Sequence, residues 1–144
     1  MSENEHLSLI AEEVKKLYPD ISFNSAMVTS YDSPNSNIPP HSDDEECIVP
    51  GSTILTVSLG GGRKVVFRRK PPGQYRREEL TVNNGEVYTM TRSSQDHWDH
   101  CIPKVCAEEF TGQRLGVTFR LLKQTRRTSS DNNVSSRTDS PHPQ

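Results

Sequence analysis

Two hydrophobic rhythms run along the chain. Near its start Leu7, Ile10, Val14 and Leu17 recur at three- and four-residue spacing, with Glu12, Glu13, Lys15 and Lys16 between them. That period belongs to a helix with one apolar face, and it predicts a helix over residues 5–18, stopped by Pro19-Asp20. Beyond it the rhythm shortens to two. Strand-length runs fall at 24–31, around His41, and at 53–59, 63–68, 86–90, 98–102 and 114–122. They are separated by GGG at 60–62, PPG at 71–73, NNG at 83–85 and a Ser-, Asn- and Pro-rich loop over 32–40. One helix followed by many short strands predicts a mainly β fold, a two-sheet jelly roll with the N-terminal helix packed on it.

The last strand shows its alternation most clearly. In RLGVTFR, residues 114–120, Leu115, Val117 and Phe119 form one face and Arg114, Gly116, Thr118 and Arg120 the other. Two arginines on one side of an otherwise greasy strand are costly to bury unless an anion meets them. Guanidinium pairs with carboxylate as a two-pronged fork, so a dicarboxylate such as 2-oxoglutarate could engage both Arg114 and Arg120.

Upstream lies a matching metal signal. His41-Ser42-Asp43 followed far downstream by His100 is the ligand set of a 2-His-1-carboxylate facial triad, which leaves open positions on Fe(II) for a co-substrate and O₂. On an extended strand His41 and Asp43 point to one side and Ser42 to the other. By the same parity His97, three residues before His100, faces away from the metal. A rival zinc site would draw on Cys47, Cys101 and Cys106 with His97 or His100, but no Cys-x₂₋₄-Cys knuckle is present. Cys101 reads better as a small buried strand residue.

These blocks, in this order, resemble the AlkB-like 2-oxoglutarate- and Fe(II)-dependent dioxygenases. The resembling stretches are AMVTSY at 26–31, HSDDE at 41–45, ILTVSLG at 54–60, RKVVFR at 63–68, HWDHCIP at 97–103 and the strand from Arg114 to Arg120. The resemblance implies a double-stranded β-helix with the metal between the sheets. It implies His41, Asp43 and His100 as iron ligands, with His100 favoured over His97 by its neighbouring Ile-Pro step. Tyr31 and Arg114 are implied to bind the distal carboxylate of 2-oxoglutarate, and Arg120 to bind near the keto-acid end. Two residues past Asp43, Glu45 stays on the metal side of a continuing strand, and an acid at its position is implied to accept a hydrogen bond from the amine of a methylated base. Two positions depart from the pattern, because family members often carry Asn where this chain has Thr29 and Gly116, and both amides touch the co-substrate.

The implied activity is oxidative demethylation of N-methylated bases, such as 1-methyladenine or 3-methylcytosine, in single-stranded DNA or RNA, consuming 2-oxoglutarate and O₂. Only some thirty residues precede Tyr31, so the chain reads as a catalytic core without the N-terminal lid of cellular AlkB-like repair enzymes, similar to compact viral or mobile-element forms. Two alternatives remain open: the same fold acting on a protein or small molecule, and a degenerate module that turns over poorly.

Composition narrows this picture. With 144 residues the chain suits one domain, read as 1–124, and the nearly apolar-free stretch 125–144 reads as a disordered polar tail. Net charge is −2, so no global basic field draws it to nucleic acid, yet Arg63, Lys64, Arg68, Arg69, Lys70, Arg76 and Arg77 crowd one segment. They read equally as a solvated hairpin surface or a phosphate-tracking patch. Trp98 and Tyr88 read as core aromatics before stacking platforms. Three cysteines without paired spacing, an acidic N-terminus and no long apolar run argue against disulfides, secretion and a membrane span, and predict an intracellular protein.

Overall fold

The computed structural model describes residues 3–124. The predicted tail at 125–144 lies outside them. Helix α1 (Glu3–Leu17) leads into strands β1 (Ser25–Tyr31), β2 (Ile38–His41), β3 (Ile54–Gly60), β4 (Arg63–Arg69), β5 (Arg77–Val82) and β6 (Val87–Met90). Helix α2 (Arg92–His97), β7 (Trp98–Ile102), a single 3₁₀ turn (Ala107–Glu109) and β8 (Arg114–Arg120) complete it. The strands form two four-stranded sheets, β1-β8-β3-β6 and β2-β7-β4-β5, antiparallel throughout. This is the predicted jelly roll.

Three layers follow from the patterning. The predicted face of β8 carries Val117 and Phe119, which pack with Leu55 and Val57 of β3 against Val14 of α1. Leu7, Ile10 and Ala11 complete the helix side of that contact. Because α1 covers one face of the first sheet and the second sheet covers the other, β3 is buried from Ile54 through Ser58, polar residues included. Burial on both faces explains why its apolar run shows no clean alternation. Between the sheets, Tyr31, Val65, Val82 and Ile102 form one cluster, and Ile48, Ile54 and Met90 another. Fully burying each such aliphatic chain contributes about 1.5–3 kcal/mol. The turn from β3 to β4 relies on Gly60 at φ +84°, a conformation that a side chain strains.

Several local expectations need correction. Strand β5 was absent from the predicted set because REELTV carries little apolar signal. It is an edge strand, exposed from Arg77 to Thr81, whose Glu79 pairs with Lys64 of β4 at 3.8 Å. Helix α2 was also absent, since none of its residues is buried and no apolar period marks it. His97 ends that helix instead of lying on a strand, so the parity argument that set it aside does not apply. Strand β2 ends at His41, which leaves Asp43 and Glu45 on the following loop instead of a continuing strand. Among the described residues no helix is long and apolar enough to cross a membrane.

Candidate metal centre

His41 and His100 are direct cross-strand partners on β2 and β7. Their rings lie 4.2 Å apart, centroid to centroid, tilted by 47°. Asp43, from the loop just past β2, comes between them: Oδ1 is 3.4 Å from His41 Nε2 and Oδ2 is 3.9 Å from His100 Nε2. One donor atom from each residue lies within 4.8 Å of the other two. Ligands bonded at about 2.1 Å and mutually cis stand about 3 Å apart, so the donors would draw closer around a bound ion. Two imidazoles and a carboxylate on one side are the donor set that suits Fe(II) with open positions, and the residues fit that ion.

Hydrogen bonds prepare the donors. His41 Nδ1 lies 2.9 Å from the carbonyl of Pro39, which can only accept, so the proton sits on Nδ1 and the Nε2 lone pair is free. His100 is buried, and burial lowers its pKa below the ordinary histidine value, with Asp43 opposing that shift. A neutral ring is the ligating form. Gln95 Oε1 accepts the Asp43 backbone N–H at 2.9 Å. Ser42 turns the other way, toward the Trp98 carbonyl, as the spacing predicted.

The same cleft is lined by Tyr31, Arg114, Thr29 and Gly116. Arg114 is almost fully buried, with Nε donating to Ser58 Oγ at 2.8 Å and its guanidinium 5.2 Å from the Tyr31 ring centroid. Its Nη2 is buried without a hydrogen-bond partner among the described residues, which is costly unless an anion completes it. Tyr31 is buried too, and desolvation pushes its hydroxyl pKa up to about 12, so it stays a neutral donor. Thr29 and Gly116 face each other across β1 and β8. A Cβ on Gly116 would sit 3.2 Å from Arg114 Nη1, so the guanidinium occupies the space beside that glycine.

Arg120 and Glu45 are placed differently. Arg120 Nη1 donates to Glu45 Oε1 at 3.0 Å and Nη2 to Met27 Sδ at 3.3 Å, while its Nε is buried without a partner among the described residues. Glu45 lies half exposed on the loop, beside a second hollow that shares Asp43 with the metal cleft. Its expected place on the metal face of a strand is therefore corrected.

The basic segment is largely spoken for. Arg63 is buried and donates to the carbonyls of Ser36 and Pro103, both at 2.7 Å. Arg76 pairs with Glu78 at 3.0 Å, Arg77 with Glu79, and Lys70 turns inward to Ser42 and Gln95. Arg69 lies over Trp98, 5.8 Å from the ring centroid. This arrangement favours the solvated-hairpin reading over a phosphate track. Tyr88 packs in the inter-sheet core. Cys101 is buried, Cys47 and Cys106 are exposed, and no cysteine joins the ligating cluster among the described residues.

Ser58 and Gln95 escaped the sequence reading. Ser58 had a signal, since it shares the polar inner parity of β3 with Thr56, whereas nothing in the pattern marked Gln95.

Two histidines and an aspartate that could hold a metal ion, set between the sheets of a jelly roll and faced by a buried arginine, suit a non-heme Fe(II) oxygenase architecture. Residues 4–120 match the model of the 2OG-Fe(II) oxygenase superfamily, and the chain belongs to that family. It is 30% identical over 111 residues to human DNA oxidative demethylase ALKBH2, covering 73% of this chain and 42% of the relative. Against the Arabidopsis thaliana protein of the same name the identity is 28% over 137 residues, covering 81% and 43%. Against bovine alpha-ketoglutarate-dependent dioxygenase alkB homolog 3 it is 31% over 110 residues, covering 70% and 37%. The chain thus spans less than half the length of these curated relatives.

Proposed function

We propose that this chain is the catalytic core of an intracellular Fe(II)- and 2-oxoglutarate-dependent dioxygenase that removes N-methyl groups from bases in single-stranded DNA or RNA. The observation that carries the reading is the convergence of His41, Asp43 and His100 in the same cleft as Tyr31 and Arg114. The relatives' names, an oxidative demethylase of DNA and an alpha-ketoglutarate-dependent dioxygenase, supply the reaction class.

His41, Asp43 and His100 would hold the iron. When bound with 2-oxoglutarate and O₂, it supplies the oxidation of an N-methyl group to N-hydroxymethyl, with succinate and CO₂ as co-products and formaldehyde lost afterwards. The protein's own residues bind and orient. Arg114 neutralises one carboxylate of the co-substrate through the guanidinium edge that lacks a partner, and Tyr31 donates its hydroxyl to the same group. Arg120 lends a second positive charge at the other end. Ile102 and Met90 give the cleft apolar lining. A substrate base reaches this centre only when unpaired or flipped out of its stack.

Release of succinate and formaldehyde tests the proposal, measured with oligonucleotides carrying 3-methylcytosine or 1-methyladenine and with their unmethylated counterparts. Methyl-dependent formaldehyde in step with succinate is expected. Succinate formed equally with and without a methylated oligonucleotide would reject nucleic acid as substrate.

A further inference from the structure

Lys70 lies just past the end of β4, and its backbone N–H donates to the His97 carbonyl at 2.8 Å, carrying the β4–β7 pairing one residue further. Its ammonium does not project into solvent. Nζ donates to Ser42 Oγ at 2.9 Å and to the Gln95 carbonyl at 2.7 Å. Both partners are neutral, and among the described residues no carboxylate pairs with this ammonium. A lysine drawn into a half-buried position without a counter-ion gives up hydration that neutral acceptors only partly restore, so the placement calls for a reason.

The reason lies in what the two acceptors hold. Gln95 sits in the last turn of α2, where its carbonyl has no intrahelical donor, and Lys70 satisfies it. The side chain of the same Gln95 accepts the Asp43 N–H. Its amide orientation is settled by chemistry: the N–H needs an acceptor, while Nε2 faces Met90 Sδ at 3.6 Å, itself only an acceptor. Ser42 accepts from Lys70, so its own proton is left for the Trp98 carbonyl at 3.2 Å or Asp99 Oδ1 at 3.3 Å.

Asp43 needs such support. Strand β2 registers with β7 only at Ile38↔Ile102 and His41↔His100, with an irregularity between them, and the chain leaves the sheet before Asp43. The carboxylate ligand is thus on a loop, and its backbone is fixed through Gln95 and Ser42.

We infer that Lys70 is a positioning residue for the iron centre, clamping α2 and the Ser42–Asp43 loop together so that Asp43 meets His41 and His100 in ligating geometry. The inference rests on the reading of those three residues as the metal site. The clamp acts before any ligand arrives, and it joins three segments distant in sequence. Partners that orient metal ligands in this way typically alter metal affinity ten- to a hundred-fold when removed.

Cobalt(II), a spectroscopic stand-in for Fe(II), tests this by titration of the whole chain, with visible absorption reporting ligand geometry. The variants are Lys70→Met, which keeps the stem and removes the charge, Lys70→Arg, which keeps donors for both acceptors, and Gln95→Ala. Lys70→Met and Gln95→Ala are each expected to weaken cobalt binding about ten- to a hundred-fold and alter the absorption bands. Lys70→Arg should restore most of the affinity. Thermal unfolding of the metal-free proteins separates positioning from general stability, and the midpoints are expected to stay close to that of the unaltered chain. Unchanged affinity and bands in Lys70→Met overturn the inference, as does a loss that tracks a collapsed metal-free midpoint. If cobalt binding persists unchanged in Asp43→Ala, the metal-site reading falls and the clamp falls with it. Binding abolished in Asp43→Ala but untouched in Lys70→Met rejects the clamp alone.

Discussion

Arg120 and Glu45, read from the sequence as contacts for two different molecules, are bonded to each other: Arg120 Nη1 lies 3.0 Å from Glu45 Oε1. The guanidinium meant for the keto-acid end of the co-substrate is thus held by the acid meant for the base. Glu45 is half exposed, so water screens the pair and its strength is modest, about 0–1 kcal/mol. In the proposed reading a co-substrate carboxylate would compete with Glu45 for Arg120.

Replacing Glu45 with Ala therefore has two separable consequences. Affinity for 2-oxoglutarate should rise slightly or hold, within about fivefold, because a weak competitor for Arg120 is gone. Demethylation of 3-methylcytosine should fall about ten- to a hundred-fold in specificity constant if the Glu45 carboxylate accepts from the base amine. Calorimetric titration of the co-substrate and oligonucleotide kinetics read the two effects. Equal demethylation by Glu45→Ala and the unaltered chain would leave the residue as a partner of Arg120 only.

Arg114 and Arg120 each keep a buried nitrogen without a partner among the described residues. Truncating a guanidinium that meets a carboxylate in a buried site costs about 2–5 kcal/mol. Arg114→Ala and Arg120→Ala should each lower 2-oxoglutarate affinity more than tenfold with cobalt(II) affinity little changed. Unaltered co-substrate affinity in both variants would reject the dicarboxylate clamp.

Gly116 decides where the Arg114 guanidinium rests. By resemblance alone Gly116→Asn would restore a co-substrate contact and tighten binding. The structure predicts the opposite, because a Cβ there stands 3.2 Å from Nη1 of a side chain that is almost fully buried. Overpacking of this kind costs about 1–3 kcal/mol, so 2-oxoglutarate affinity should fall several-fold. Tighter binding in the calorimeter would show that the guanidinium moves freely.

Phe119 carries the helix-to-sheet contact. It is fully buried among Val14, Leu55 and Val117, with the Phe23 ring 4.6 Å away. Phe119→Ala should destabilise the domain by about 3–5 kcal/mol, seen as a lower denaturant midpoint at unchanged slope. A shift below 1 kcal/mol would mean that α1 is not docked as described.

Where a segment buries an apolar face, its residues announced it. Leu7 to Leu17 carried α1, and the alternation of Leu115, Val117 and Phe119 carried β8 with the inward arginines beside it. Strand β5 and helix α2 were silent because neither buries an apolar stripe, and what holds them is edge pairing and tertiary hydrogen bonds. The ligating set was legible because imidazole and carboxylate identity is written in the residues themselves. The geometry that gathers it was not. Asp43 reaches the cluster from a loop instead of a strand, and His97 is set apart by a helix terminus instead of by strand parity. The bonds among Lys70, Ser42 and Gln95 join positions far apart in sequence, where no local period can register them.

In the proposed function one centre binds iron and 2-oxoglutarate together. Anaerobic titration of Fe(II) into the protein with 2-oxoglutarate measures this through the visible charge-transfer band of a 2-oxo acid chelated to Fe(II). A saturable band is expected from the unaltered chain and from His97→Ala, and its loss from His41→Ala, Asp43→Ala and His100→Ala. Absence of the band in the unaltered chain, or its persistence in Asp43→Ala, would contradict the site described.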